Sequence, residues 1–172
     1  MEISSVKTLN KGELFIREGE VPREFGFVSI GLFRYYYVDE KGNHFTKGFF
    51  PENSVLSSYT AMAQKESSPI SVEALEDSEI VVVDYQKWKE LQSQHRCWDK
   101  FLIILLEKGY ATKVRREREL LLFDAETQYR LFRERYPNLE DRIPQHLISS
   151  FLGITPVALS RIRKKMGLIN TG

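Results

Sequence analysis

The feature that most restricts the fold is an abrupt change in turn content near Asp84. Before it the chain is broken repeatedly by Gly, Pro, Asn and Asp; from Tyr85 to Tyr136 the only Gly or Pro is Gly109. A segment of that length without breakers predicts long helices, whereas the broken segment before it predicts short strands. In the first part Leu14-Phe15-Ile16 lies between Lys11-Gly12 and Glu18-Gly19-Glu20. A longer run follows from Phe27 through Gly31 to Val38, closed by Asp39-Glu40-Lys41-Gly42-Asn43, a hairpin-type turn. The return run, His44 to Phe50, stops at Pro51. Beyond an ambiguous stretch, residues 71–75 and 80–83 flank a turn at Glu76-Asp77-Ser78. Short strands at this spacing predict an antiparallel sandwich or jelly roll rather than a parallel sheet.

The second part predicts a short helix capped by Asp84 and a long one from about Arg96 to Leu122. Apolar Trp98, Phe101, Leu102, Leu105, Leu106, Tyr110 and Val114 recur along the latter at three- and four-residue steps. Its last turns, residues 115–119, are almost wholly charged. Such a helix either packs as a core helix of a monomer or pairs with a second copy along Leu102, Leu105, Gly109 and Thr112. A further helix is predicted from Ala125 to Arg135, capped by Asp124 and ended before Pro137.

The last thirty residues carry the most specific pattern. Pro144 opens a helix, Gly153 closes it with positive φ, and Thr155-Pro156 supplies N-cap and first turn of a second helix. That is the layout of a helix-turn-helix. Ile148, Leu152, Ile154, Leu159 and Ile162 would face the junction, with small Ser149 at the crossing. Charge points the same way. The chain carries a net charge of +1, but residues 1–97 hold a net −4 and residues 98–172 a net +5. No acid follows Asp141, while Arg142, Arg161, Arg163, Lys164 and Lys165 do. Basic charge gathered at one end fits contact with phosphates.

A β-rich body, a long helix and a C-terminal helix-turn-helix together resemble the Crp/Fnr family of bacterial transcription regulators. The strings Phe15-Ile16-Arg17-Glu18-Gly19-Glu20 and Gly31-Leu32-Phe33-Arg34-Tyr35-Tyr36-Tyr37 are similar to its first strands, and residues 153–162 to its recognition helix. The resemblance covers about Lys11 to Met166. It implies an α+β chain in three parts: a cyclic-nucleotide-binding-like jelly roll (a double-stranded antiparallel β-helix) over 1–95, a dimerisation helix over 96–122, and a small all-α DNA-binding unit over 123–172. It further implies a cytoplasmic homodimer on palindromic double-stranded DNA, with RNA polymerase as a further partner. Its pairing surface would be Leu102, Leu105, Gly109 and Thr112.

In that reading Thr155, Val157, Ser160 and Arg161 reach the major groove, with Lys164 behind them and Gln145 on phosphate. Arg161 matches the family's base-reading arginine, suited to the O6/N7 edge of guanine. Where the best-known members place Arg and Glu early in the recognition helix, this chain has Pro156 and Val157, and Val157 suits a thymine methyl. Only Gly167 to Gly172 follow the second helix, so the family's wing is truncated and binding is expected to be weaker and more salt-sensitive.

Members that bind a cyclic nucleotide use a Gly-Glu pair and an Arg followed by a hydroxyl residue. Here the corresponding loop lies between Pro51 and Ala74, contains neither Gly nor Arg, and offers one cation, Lys65, which lacks the fork geometry of arginine. Val55-Leu56 align with the Gly-Glu and Ser68 with the Arg. The effector pocket is accordingly expected around Val55, Leu56, Ser57, Ser68 and Ser71, holding an uncharged or apolar ligand or none. Cyclic AMP is not expected there.

Other chemistry finds little support. One cysteine, Cys97, makes no intrachain disulfide and cannot supply a four-cysteine cluster; no ligand pair recommends haem. The histidines are His44, His95 and His146, far apart in sequence, and no P-loop, G-x-S-x-G or H-E-x-x-H is present. No cofactor and no enzyme activity are expected. The longest apolar run, residues 101–106, is too short to span a membrane, and the N-terminus lacks the features of a secretory signal. The alternative function is a ligand-binding sensor whose C-terminal helices contact protein rather than DNA.

Overall fold

The structure, a computed structural model, describes residues 3–168. Met1 and Glu2, and four of the six residues of the expected wing remnant, lie outside the described residues. The chain divides into two compact units, Met1–Phe101 and Leu102–Gly172.

In the first unit eight strands form two four-stranded antiparallel sheets: β1 (Ser4–Leu9), β2 (Leu14–Ile16), β3 (Glu24–Ile30), β4 (Phe33–Val38), β5 (His44–Phe50), β6 (Val55–Leu56), β7 (Ser71–Ala74) and β8 (Ser78–Asp84). One sheet has the order β1-β8-β3-β6 and the other β2-β7-β4-β5. Alternation sets which side chains enter the core. From the first sheet come Leu9, Val28, Leu56, Ile80 and Val82; from the second Ile16, Phe33, Tyr35, Val72 and Ala74, with Phe15 and Phe50 packed against them. Gly31, between β3 and β4, has φ +112°, and a Cβ there would fall 2.1 Å from Ser78 Oγ, so only glycine fits the crossing. The β4–β5 turn is locked by Asp39, whose Oδ1 accepts from the Lys41 N–H at 2.9 Å and the Asn43 N–H at 2.8 Å.

The ambiguous stretch contains β6 and a six-residue helix, α1 (Tyr59–Gln64), too short to show a period. Strand β1 was likewise not anticipated. It is an edge strand with five of its six residues partly or fully exposed, so its apolar content is low. Helix α2 (Tyr85–Gln94) starts as expected, with the Asp84 side chain accepting from the Lys87 N–H at 2.8 Å. Helix α3 (Cys97–Leu122) is 26 residues long, and near its start Phe101 packs on Phe27 of β3 with ring centroids 6.1 Å apart.

In the second unit α4 (Ala125–Arg135) is capped by Asp124, which accepts from the Thr127 N–H at 2.8 Å. A short 3-10 turn, Glu140–Arg142, leads to α5 (Gln145–Leu152) and α6 (Pro156–Lys165). Pro144 precedes the first turn of α5 with extended backbone, φ −54° and ψ 134°, rather than opening it; the helix begins one residue later than expected. The α5–α6 junction is a Schellman turn: Gly153 at φ +72° donates to Ser150 O, and Ile154 N–H reaches back to Ser149 O at 3.0 Å. Thr155 Oγ1 then accepts from the Ala158 N–H at 3.2 Å and caps α6, with Pro156 in its first turn.

Candidate functional site

Helices α5 and α6 close on Ile148, Ser149, Leu152 and Leu159, all fully or almost fully buried, with Ile154 and Ile162 half-buried at the rim. The core also takes Phe151, which sequence spacing did not single out. Its ring carries the Arg116 guanidinium 4.0 Å from the centroid, and its carbonyl accepts from the same arginine. Through Arg116 the last third of α3 is tied to α5.

All six residues expected to meet DNA, Gln145, Thr155, Val157, Ser160, Arg161 and Lys164, are exposed. At 100° per residue Val157, Ser160, Arg161 and Lys164 fall within an arc of about 100°, opposite Leu159 and Ile162. Two of the basic residues that made the segment look uniformly charged are engaged within the unit. Arg163 pairs with Glu140 Oε1 at 3.1 Å, and Glu140 also accepts from Tyr129 Oη and from Arg133 Nε at 2.9 Å. Burial, foremost, and then the Glu140 bond push the Tyr129 phenol well above its ordinary pKa, so it stays a donor. Lys165 reaches Glu126 at 2.5 Å. The cations on the outward arc of α6 are Arg161 and Lys164, whereas Lys165, exposed but paired with Glu126, lies off it.

Along α3, Leu102 and Leu105 are half-buried while Gly109 and Thr112 are exposed. Large apolar side chains open to solvent lie on an adjoining face: Ile103, Leu106, Tyr110 and Val114 are 53%, 44%, 71% and 44% exposed, at spacings of three, four and four. Leu102 and Gly109 border this stripe. Leu105 and Thr112 lie beyond it, in line with Arg116 and the buried Glu119, which pairs with Arg135 of α4.

The expected effector residues lie at β6 and the loop after it. Leu56 is in the core and Val55 pairs with Phe27 across β3. Ser68 Oγ donates to Ile70 O at 2.8 Å and is 3.0 Å from Ser58 Oγ; Ser71 Oγ accepts from the Glu18 N–H at 3.1 Å. Ser57 is held on both sides of its peptide by the Tyr35 hydroxyl, which accepts from its N–H at 2.6 Å and donates to its C=O at 3.3 Å. Two surface clefts of about 320 and 740 Å³ open elsewhere on this unit, the first beside Arg17, Arg23 and Asp84, the second beside Lys7, Tyr36, His44 and Glu73. Neither is lined by Val55, Leu56, Ser57, Ser68 or Ser71. His44 stacks on Tyr36, and its Nδ1 lies 3.2 Å from the Arg34 guanidinium, which also binds Glu73 at 2.6 Å. Among the described residues no three His, Cys, Asp or Glu gather as metal ligands, and no helix is long and apolar enough to cross a membrane.

Residues 6–95, just over half of the sequence, match the family described as the cyclic nucleotide-binding domain. The chain belongs to that family. No curated protein matches the sequence. Among solved structures the chain is similar to FixK2 from Bradyrhizobium japonicum, with a TM-score of 0.82 at 15% identity over 99% of this chain and 89% of that one. It is similar to a protein from Eubacterium rectale described as a transcriptional regulator of the crp/fnr family, with a TM-score of 0.79 at 13% identity over 98% and 82%. It is also similar to CLP from Xanthomonas campestris, described as a c-di-GMP-responsive global regulator, with a TM-score of 0.76 at 12% identity over 98% and 90%. At these identities the likeness is one of fold. A family defined by cyclic-nucleotide binding is thus represented here by a chain whose loop 57–70 holds neither Gly nor Arg.

Proposed function

We propose that the chain is a homodimeric, sequence-specific DNA-binding transcriptional regulator of the Crp/Fnr type. In this reading residues 1–95 are a jelly-roll sensor that does not bind cyclic AMP, 96–122 the dimerisation helix, and 123–172 a helix-turn-helix unit. The observation that carries it is the outward arc of α6: Val157, Ser160, Arg161 and Lys164 exposed on one face, on a helix whose other face is buried against α5. An exposed face of that composition suits the major groove, with Thr155 and Gln145 at the helix starts suited to phosphate. No cofactor is assigned. A signal at the sensor would alter how two α3 helices pair, and so the spacing of the two recognition helices against half-sites one DNA turn apart. RNA polymerase is the further partner of such a regulator, and the cytoplasm its compartment.

The test is retention of a random-sequence duplex pool, with selection of the bound sites and a salt titration. The expected result is a palindromic site whose affinity falls steeply with salt. Retention that is absent at low salt would favour the other reading, a sensor whose C-terminal helices contact protein. Within the selected site, Arg161→Ala is expected to weaken binding by about 1–3 kcal/mol and to relax preference at one G·C position per half-site. An unchanged preference in the variant, measured by repeating the selection, removes Arg161 from base reading.

A further inference from the structure

The interior of the β-sheet unit holds one aromatic ring whose hydroxyl bonds across to a loop backbone. Tyr35 enters the core from β4, almost fully buried, and stacks on Phe50 with centroids 4.0 Å apart and planes 26° from parallel. Its hydroxyl uses a lone pair on the Ser57 N–H and its proton on the Ser57 C=O. Ser57 is the first residue after β6, so one phenol holds the entrance of loop 57–70. Further along that loop the pair Ser58–Ser68 and the bond from Ser68 to Ile70 O hold it internally. Burial drives the Tyr35 pKa far above its ordinary value, and the Ser57 amide only partly offsets this, so the group stays an uncharged phenol.

The surroundings suit that neutral group and not an anion. The core cluster beside Tyr35 consists of Leu, Ile, Val, Ala and Phe. The nearest cation in sequence, Arg34, alternates to the opposite face of β4, where Glu73 and His44 engage it. A phosphodiester entering here would have to displace the phenol, give up the Phe50 stack and stand without a paired charge. We infer that Tyr35 is a tethered occupant of the sensor: its phenol fills the interior and orders the Ser57 loop in place of a diffusible effector. Resting on the regulator reading above, this makes the DNA-competent state independent of any free small molecule.

Two variants and one small probe test it. Tyr35→Ala leaves a hole of the shape of phenol, lined by apolar groups and one peptide. Such cavities bind small aromatic molecules. Phenol is expected to raise the melting temperature of Tyr35→Ala, benzene to raise it less, and neither to change the wild type. On the duplex selected by wild-type protein, Tyr35→Ala is expected to lose about tenfold in affinity and to regain most of it with phenol, as the competent fraction falls and recovers. Cyclic AMP, cyclic GMP and c-di-GMP at millimolar levels are expected to leave wild-type affinity within about twofold. A folded Tyr35→Ala protein that ignores phenol, or that binds DNA as the wild type does, overturns the inference, as does strong stimulation of the wild type by any of the three nucleotides. Should Tyr35→Ala fail to fold, Tyr35→Phe decides. It keeps the ring and loses both Ser57 bonds, so amide exchange is expected to quicken in loop 57–70 and not in β4; unchanged exchange there overturns the inference. Wild-type protein that retains no DNA would instead sink the regulator reading, while phenol binding and amide exchange still report on the tethered ring.

Discussion

Glu119→Ala is expected to unfold the second unit at a far lower denaturant concentration, losing about 3–5 kcal/mol of its stability. The carboxylate is nearly buried on α3 and bridges two guanidinium groups, Arg135 of α4 and Arg116 one turn earlier on its own helix, the latter at 3.8 Å. Burial pulls the Arg116 pKa below its usual value, Glu119 raises it, and Arg135 lowers it again; the Glu119 bond raises that of Arg135. Removing the acid therefore leaves two positive charges facing each other in a poorly hydrated place. Arg116 is also the cation over Phe151 and the donor to Gln128 Oε1 at 3.2 Å, so its displacement reaches α5. Glu119→Gln keeps the shape and an acceptor oxygen and is expected to lose roughly half as much. Urea unfolding followed by far-UV circular dichroism measures both variants. A change below about 1 kcal/mol for Glu119→Ala would mean the triad is solvated like an ordinary surface pair.

What was legible in the sequence follows the range of the interaction that sets each feature. Asp84, Asp124, Gly153 and Thr155 mark helix ends through bonds to backbone groups no more than four residues away, and each does so in the structure. The hairpin turn at Asp39 is equally local. By contrast β6 consists of two residues that pair only with β3, and nothing in Val55-Leu56 itself announces that pairing. The bond from Tyr35 to Ser57 spans 22 residues, so Tyr35 reads in sequence as one more strand aromatic. Charge misled for the same reason. In sequence Arg161, Arg163, Lys164 and Lys165 are a single run; in space Arg163 belongs to Glu140 and Lys165 to Glu126. Composition fixed the sign of the surface, and only tertiary pairing shows which cations are engaged within the unit.

The same limit governs α3, where three-and-four spacing admits more than one stripe, and it yields the second large expected effect. Leu106→Glu with Tyr110→Glu is expected to turn the proposed dimer into a monomer. Each change removes an exposed apolar group from the open stripe and, across a two-fold axis, sets carboxylates against one another. Losing roughly 1.5 kcal/mol of burial per side chain amounts to about 6 kcal/mol per dimer, or about four orders of magnitude in its dissociation constant, before repulsion is counted. Binding of a palindromic duplex should fall by at least about 100-fold, because the second half-site loses its tethered reader. Thr112→Glu is the discriminating partner variant. It lies beyond the stripe, its hydroxyl already bonded to Lys108 O at 2.9 Å, and a carboxylate there would sit one turn from the Lys108 ammonium. It is expected to leave the dimer intact. Sedimentation velocity over a concentration series reads all three proteins: dissociation by Thr112→Glu with a stable Leu106/Tyr110 variant would put the seam on the Leu105–Thr112 face, and a wild type that stays monomeric throughout would remove two-fold pairing from the mechanism.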